Sequence, residues 1–154
     1  MMIFRRICLV GLLFLPMSCA DFTPPPATQL TALPEIRARF DSFPPRLAPA
    51  VEAACNRPEQ RVIYPTPELI ECRTLMPPDP TGSLIMAYDG TLTDLPETVI
   101  RFHSTSDADG LILAVSFFID VPQASGGHLF VALRSPALTR RFTAILRELG
   151  GTPI

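Results

Sequence analysis

The residues best suited to chemistry lie together in the segment FHSTSDADG, which spans positions 102–110. It supplies one histidine, two serines and two aspartates: His103, Ser104, Ser106, Asp107 and Asp109. A serine, a histidine and an aspartate can act as nucleophile, base and orienting group, but consecutive residues rarely reach the geometry that such a triad needs. We therefore interpret the segment as a polar hairpin loop and predict no catalytic residue.

The same segment contains the beginning of a calcium-binding pattern. Asp107, Asp109 and Gly110 match the first part of such a loop, whose later part requires a glutamate. Leu111–Phe117 contains no acidic residue, so the pattern is incomplete. The sequence therefore predicts no calcium site here.

The two histidines are candidates for other chemistry. His103 and His128 could share a metal only on adjacent, registered strands with a carboxylate nearby. His128 follows Ser-Gly-Gly and is better interpreted as the edge residue of a strand. We predict no metal site and no cofactor. A hydrolase that uses either histidine with a carboxylate is the least favoured activity.

Segments with period-two patterning predict the strands that carry these residues. They are Arg61–Tyr64, Leu69–Met76, Ser83–Tyr88, Thr98–Ser104, Leu111–Val121 and His128–Leu133. The last three predict an antiparallel meander with Asp109-Gly110 and Gly126-Gly127 at its turns.

Three sets of apolar residues recur at helical spacing. They predict two helices before these strands in the chain and one helix after them. The three sets are Ile36, Phe40 and Phe43; Leu47, Val51, Ala54 and Cys55; and Leu138, Phe142, Ile145 and Leu149. Ser135 is the predicted N-cap of the last helix, with Pro136 at its first position. The pattern predicts a two-layer α+β domain with N-terminal helices, an antiparallel sheet of about four to six strands and a C-terminal helix.

The arginines of the last helix fall off its apolar stripe. They are Arg140, Arg141 and Arg147. We interpret them as a solvated face. Contact with an acidic partner or with lipid phosphate is the alternative.

The apolar residues of Leu111–Val121 occupy both faces of the predicted strand. A strand that faces water on one side normally alternates cleanly, but Ile112, Ala114 and Phe118 make the second face apolar as well. We expect this face to be covered within the domain, for example by the N-terminal helices. The alternative is that these three residues form a ligand or partner surface.

Cys55 and Cys72 are predicted to form a disulfide. One lies on the inner face of the second predicted helix and the other on a strand, and an even pair in an oxidising compartment readily pairs. The bridge would close a loop of about 17 residues and contribute roughly 3 kcal/mol. A redox pair or a metal site is the alternative, although the chain contains no C-x-x-C motif.

The N-terminal segment has the layout of a secretory signal peptide. Arg5 and Arg6 precede the apolar run Ile7–Leu15. This run, of about nine residues, is too short to span a membrane, since a spanning helix needs about 20. The sequence therefore predicts export.

The end of this segment resembles a bacterial lipoprotein signal. Leu15, Ser18 and Cys19 fit the type, with Leu15 four residues before the cysteine instead of three. The resemblance implies that Cys19 is acylated, becomes the new N-terminus and anchors the chain in a lipid bilayer. Ordinary cleavage after Ala20 is the alternative, because Ser18-Cys19-Ala20 also fits the site of soluble secreted proteins.

These patterns divide the chain into three parts. Residues 1–18 are the predicted signal peptide, residues 19–33 the lipidated cysteine with a Pro-rich tether, and residues 34–151 a single α+β domain. A Pro-rich segment stays extended, which suits a spacer that holds a domain clear of a membrane. We expect the domain to face the periplasm from the cell membrane or the outer membrane, or to be soluble periplasmic or secreted if cleavage follows Ala20.

Composition excludes one class of partner. The 154-residue chain has a formal net charge of −2 and all its basic residues are arginine, so it lacks the electrostatic footprint of a nucleic-acid-binding protein.

The favoured function is a non-catalytic binding or structural module of the cell envelope with an envelope protein as partner. The alternative is a carrier or sensor of a small apolar ligand.

Overall fold

The structure, a computed structural model, describes residues 33–154. The predicted signal peptide, Cys19 and all of the tether except Leu33 lie outside the described residues. Within residues 33–154, every helix is too short or too polar to cross a membrane.

The described chain contains seven strands and three helices. In chain order they are β1 (Glu35–Phe40), α1 (Leu47–Ala54), β2 (Gln60–Thr66), β3 (Leu69–Leu75), α2 (Pro78–Tyr88), β4 (Glu97–Asp107), β5 (Gly110–Pro122), β6 (His128–Ala132), α3 (Pro136–Glu148) and β7 (Thr152–Pro153). The predicted α+β class is confirmed. The sheet has one strand more than the upper predicted number, and β7 contributes only two residues.

Strand β5 organises the sheet. Its 13 residues pair antiparallel with β4 along nearly the whole length of one edge. The other edge is shared, because β1 pairs with Leu111–Ser116 and β6 pairs with Phe118–Pro122. The main strand order is β2-β3-β4-β5-β1-β7, and all of these pairings are antiparallel.

The segment predicted as the first helix forms strand β1, so that prediction is wrong. Ile36 and Phe40 do share a face, but the whole segment EIRARF also alternates, with Ala38 and Phe40 buried and Arg37 exposed. Period-two alternation suits a sheet that is covered on one side. Pairing with β5 also gives the backbone N–H and C=O groups of β1 hydrogen-bond partners, whereas a helix of six residues would leave most of these groups without partners.

The predicted strand Ser83–Tyr88 belongs to helix α2, which is a second correction. Pro78 and Pro80 lie in its first turn, where a missing N–H costs nothing. The helix buries Thr81, Leu84 and Tyr88, at the helical spacing i, i+3, i+7. It ends at Asp89, whose φ of 54° is left-handed. The apolar residues of Ser83–Tyr88 suggest a strand, but packing of Leu84 and Tyr88 against β5 favours the helix.

Several other predictions are confirmed. The five remaining predicted strands appear as β2 to β6 with ends shifted by a few residues. Ser135 caps α3 by accepting a hydrogen bond on Oγ from the Leu138 N–H at 3.3 Å. The sulfur atoms of Cys55 and Cys72 lie 2.07 Å apart, at disulfide-bond distance, and join the end of α1 to β3.

All three helices pack on one face of the sheet. Helices α1 and α3 cover a core that includes Leu113, Val115 and Phe117 of β5. Helix α2 covers a second cluster that includes Ile119 and Val121 of the same strand. These five residues alternate along β5 and therefore point to one side. The side chains of Ile112, Ala114 and Phe118 point to the opposite side, over which none of the three helices lies.

Candidate functional site

The structure separates the residues of the FHSTSDADG segment. His103 and Ser104 are neighbours in β4 and point to opposite faces of the sheet. Ser104 is buried on the helix-covered side, where its Oγ donates to the Glu68 carbonyl at 3.3 Å. His103 lies on the open side, so the two do not form a nucleophile and base pair.

The acidic end of that segment closes the hairpin between β4 and β5, but the loop is shorter than predicted, because β4 continues to Asp107. Asp107 pairs with Gly110, and the Asp109 N–H donates to Asp107 Oδ1 at 3.0 Å. Arg39 of β1 donates to the same oxygen at 2.8 Å. This hydrogen bond is the main cause that lowers the pKa of Asp107 below its ordinary value. A carboxylate held by an arginine in this way is poorly suited to act as a base.

The two histidines lie far apart. His103 pairs with Ala114 and His128 with Pro122, which is eight positions further along β5. Eight residues of a strand span about 27 Å, so the two cannot share a metal. Among the residues that the structure describes, no three metal-binding side chains are clustered.

The open side of the sheet carries a network of charged side chains that no sequence motif had indicated. Its members come from the four strands β2 to β5: Arg61, Glu71, Arg73, Glu97, Arg101 and Asp120. We call these six residues the arginine face. The strand register places them together, because Glu71 is opposite Arg101, and Glu97 is opposite Asp120.

The carboxylates of the arginine face lie beneath its guanidinium groups. The side chains of Glu71, Glu97 and Asp120 are 2%, 6% and 3% exposed, while those of Arg73, Arg101 and Arg61 are 14%, 26% and 54% exposed. Buried charges are stable only when they are paired, and each of these acids accepts from at least one arginine. The surface that water meets is therefore cationic, although the six formal charges balance.

Arg73 is the centre of the network. It donates to Glu97 Oε2 at 2.7 Å, to Glu71 Oε2 at 2.8 Å and also to Asp120. Burial alone would lower the pKa of Arg73, but the hydrogen bonds to Glu97 and Asp120, with the charges of Asp120 and Glu71, together raise it. One guanidinium thus holds three buried acids on three different strands.

Arg61 and Arg101 complete the layer. Arg61 binds Glu97 through both terminal nitrogens, with Nη2 at 2.7 Å from Oε2. Arg101 donates from Nε to Glu71 Oε1 at 2.6 Å, and its guanidinium carbon lies 4.7 Å from the centre of the Phe118 ring and 5.5 Å from that of Phe130. Such stacking on aromatic rings fixes the position of a guanidinium further.

This arrangement explains the apolar second face of β5. Phe118 is fully buried, with Arg101 over its ring and Phe130 against it at 5.0 Å between ring centres. Ala114 is also buried, while Ile112 is partly exposed. The cover over Phe118 therefore comes from neighbouring side chains of the same sheet, and not from N-terminal helices as expected.

His128 lies at the border of the arginine face. Its Nδ1 is 2.7 Å from Asp120 Oδ1, and half of the side chain is exposed. Asp120 therefore joins the arginine of β3 to the histidine of β6. The sequence favours an edge position for His128 and does not identify Asp120 as its partner.

The arginine face was missed because its residues are spread over strands β2 to β5. The available signal was charge of opposite sign two positions apart within a strand, as in Glu71 and Arg73 of β3, or four positions apart, as in Glu97 and Arg101 of β4. Residues two apart in a strand share a face. On a face without helices, such alternation indicates a paired charge layer.

Comparison with protein families, with curated proteins and with solved structures found no match to this chain. The arginine face is a layer of ion pairs. Its carboxylates are all engaged by arginines, and its polar groups are fixed in ion pairs. A layer of fixed charges suits recognition of another charged surface better than it suits turnover.

Proposed function

We propose that this chain is a non-catalytic binding module of the cell envelope, anchored in a membrane through an acylated Cys19 and facing the periplasm. Its binding surface is the arginine face. The observation that carries this proposal is the placing of ordered guanidinium groups over buried carboxylates, on the one sheet face that none of the described helices covers.

The charge layer favours a partner with exposed acidic side chains. Arg61 and Arg101 are more exposed than the acids, so a carboxylate that approaches meets arginine before it meets Glu71, Glu97 or Asp120. Because the six formal charges balance, the face attracts a carboxylate only at short range. Physiological salt shortens that range further, since it screens charges that are more than about 8 Å apart. We therefore expect the face to select its partner more than to accelerate encounter.

Order in the free protein supports a role in binding. Each arginine of the face is held by at least one carboxylate, and Arg101 is also held over Phe118. Immobilising a long side chain during association costs about 0.5–1.5 kcal/mol. A face whose arginines are already fixed avoids much of that cost.

Ile112 and Ala114 lie on the same open side of the sheet, towards the other end of β5 from Asp120, where they pair with Arg39 and Arg37 of β1. Ile112 is partly exposed and can accept an apolar side chain of a partner. Phe118 has a different role in this proposal, because it supports Arg101 from below and does not reach the surface.

Addition of a partner strand at a sheet edge is a weaker explanation. The outer strand β2 carries Pro65 and an irregular register between Ile63 and Thr66, and both features disfavour regular pairing. At the other end of the main sheet, β7 offers only two residues. The sheet face offers a larger ordered surface than either edge.

The partner claim is tested by crosslinking in living cells and affinity capture of the full chain. We expect the unaltered chain to capture one abundant envelope protein. Arg61→Gln should abolish this capture, because Arg61 is the most exposed member of the face. Arg57→Gln is the matched control, since Arg57 is an exposed arginine outside the face. Equal capture by both variants, with equal unfolding midpoints, would contradict the assignment of the surface.

The anchor claim is tested separately. The mass of the mature N-terminus should show a diacylated Cys19, and Cys19→Ala should move the chain from the membrane to the soluble fraction. An unmodified N-terminus at Asp21 would show cleavage after Ala20 and would overturn the anchor while leaving the binding surface open to test.

A further inference from the structure

A cleft separates helices α1 and α3 on the helix-covered side of the sheet, opposite the arginine face. Its volume is about 330 Å³. The floor is formed by the Cys55–Cys72 bridge with Ile100 and Phe102 of β4, and the walls by the two helices. Small-molecule sites in proteins begin at about 300 Å³, so the cleft is large enough to hold a ligand.

The apolar stripe of α3 is only partly used by the core. Leu146 is the one fully buried residue of that helix, while the four stripe residues predicted from the sequence are half-buried and line the cleft: Leu138, Phe142, Ile145 and Leu149. Opposite them, α1 presents Ala50 and Ala54, whose side chains are too small to fill the gap. Apolar surface thus stays accessible inside a concave site.

The rim of the cleft carries one cation and no acid. Its polar residues are Gln60, whose amide is hydrogen-bonded to Thr74 and to the Arg57 N–H, and Arg141. Arg141 forms no ion pair with any other residue of the described range 33–154. An arginine in this position can bind a carboxylate at the mouth of an apolar site.

We propose that this cleft binds an anionic amphiphile, with an alkyl chain between α1 and α3 and a carboxylate at Arg141. A cleft of about 330 Å³ is of the size that takes a small ligand, and an alkyl chain on the order of ten carbons is a suitable test case. The proposal goes beyond the binding of a protein partner and concerns the opposite side of the molecule. It gives Arg141 a function other than solvation of a helix face.

The proposal is tested by calorimetric titration of the full chain, held on phosphatidylcholine nanodiscs, with empty nanodiscs as the blank. The probes are decanoate, decanol and decyltrimethylammonium, all below micelle-forming concentrations. We expect saturable binding of decanoate with an affinity about fivefold above that of decanol, and weaker binding of the cation. Methyl NMR signals of Ile100 and Ile145 should shift with decanoate.

Two pairs of variants place the ligand. Arg141→Gln should remove the preference for decanoate over decanol, whereas Arg140→Gln, with the same change in charge at the neighbouring position, should keep it. Ala50→Leu and Ala54→Leu should weaken decanoate binding at least fivefold by filling the cleft, with unfolding midpoints showing that both remain folded.

Several results would overturn the proposal. They are the absence of saturable decanoate binding, decanoate binding that is unchanged in both cleft-filling variants, and an equal loss of charge preference in Arg140→Gln and Arg141→Gln. None of these outcomes bears on the arginine face, since the variants there are different and lie on the other side of the sheet.

Discussion

Arg73 of β3 and Asp120 of β5 form an ion pair although β4 lies between their strands. The same guanidinium also holds Glu97 on β4 and Glu71 on β3. A single side chain thereby connects three strands on the open face of the sheet. This relationship makes the surface a fixed layer of charge and underlies the proposed binding function.

Removal of Arg73 should destabilise the fold strongly. Arg73→Met leaves three nearly buried carboxylates with fewer partners, and loss of one member of a buried ion pair typically costs about 3–5 kcal/mol. Urea unfolding of the variant should show a loss of this size. Arg57→Met, which removes an exposed ion pair with Glu59, should change the free energy of unfolding by at most about 1 kcal/mol. Similar values for both variants would argue against the central place of Arg73.

The disulfide should stabilise the domain mainly through the unfolded chain. Cys55 and Cys72 are 17 positions apart, and closure of a loop of that length is worth about 3 kcal/mol. The double variant Cys55→Ala/Cys72→Ala should therefore unfold at a lower urea concentration than the oxidised protein. The reduced unaltered protein should behave like the double variant. Coinciding curves for oxidised and reduced protein would show that the bridge contributes nothing.

Tyr88 should be replaceable by phenylalanine without loss of stability. Its hydroxyl is buried at the end of α2 and has no hydrogen-bond partner among residues 33–154. A buried polar group without a partner costs free energy, so Tyr88→Phe should leave the free energy of unfolding unchanged or raise it by about 1 kcal/mol. A loss of more than that in thermal unfolding would indicate a contact that the described residues do not provide.

The same tyrosine predicts a pH dependence. Burial raises the pKa of Tyr88 above its ordinary value of 10.0, so the unfolded chain loses this proton at a lower pH than the folded chain. The contribution of Tyr88 to stability is therefore complete below pH 10 and falls as the pH rises through the folded value. Unfolding curves between pH 9 and 11 should decline less for Tyr88→Phe than for the unaltered protein.

Asp107 should titrate at a lower pH than an ordinary aspartate. The hydrogen bond from Arg39 is the largest cause that lowers its pKa, so its contribution to stability is present above pH 3.8 and is lost as the pH falls through the folded value. Carboxyl NMR should show the pKa of Asp107 rising in Arg39→Gln. Arg37→Gln, on the same face of β1, should leave that pKa unchanged. An equal rise in both variants would show that the positive charge of the strand as a whole, and not the hydrogen bond from Arg39, lowers the pKa of Asp107.

The sequence predicted the parts of the fold in which local pattern and tertiary packing agree. The cap at Ser135, the apolar stripe of α3 and the turns at Gly110 and Gly126 are local signals, and the structure contains all of them. Prediction failed where two periods fitted one segment. Ile36 and Phe40 fit helical spacing and strand alternation alike, and only pairing with β5 decides between them.

The candidate site could not be predicted in the same way. Glu71, Glu97 and Asp120 look like surface residues in the sequence, because acidic residues are rarely buried without partners. Their burial depends on arginines of other strands, and the register that brings Arg73 to Asp120 is a property of the whole sheet. Ile112, Ala114 and Phe118 were assigned correctly to a second face of β5 because strand alternation is local.

The most direct test of the proposed function is photo-crosslinking in living cells from single positions of the full chain. A photoreactive residue at Leu75 lies on the open face, two positions from Arg73 and opposite Glu97, and one at Thr139 lies on the exposed side of α3. We predict that the residue at position 75 captures one envelope protein, that the one at position 139 does not, and that Arg61→Gln abolishes the capture. Capture of the same protein from position 139 alone, or from position 75 irrespective of Arg61, would contradict the arginine face as the binding surface.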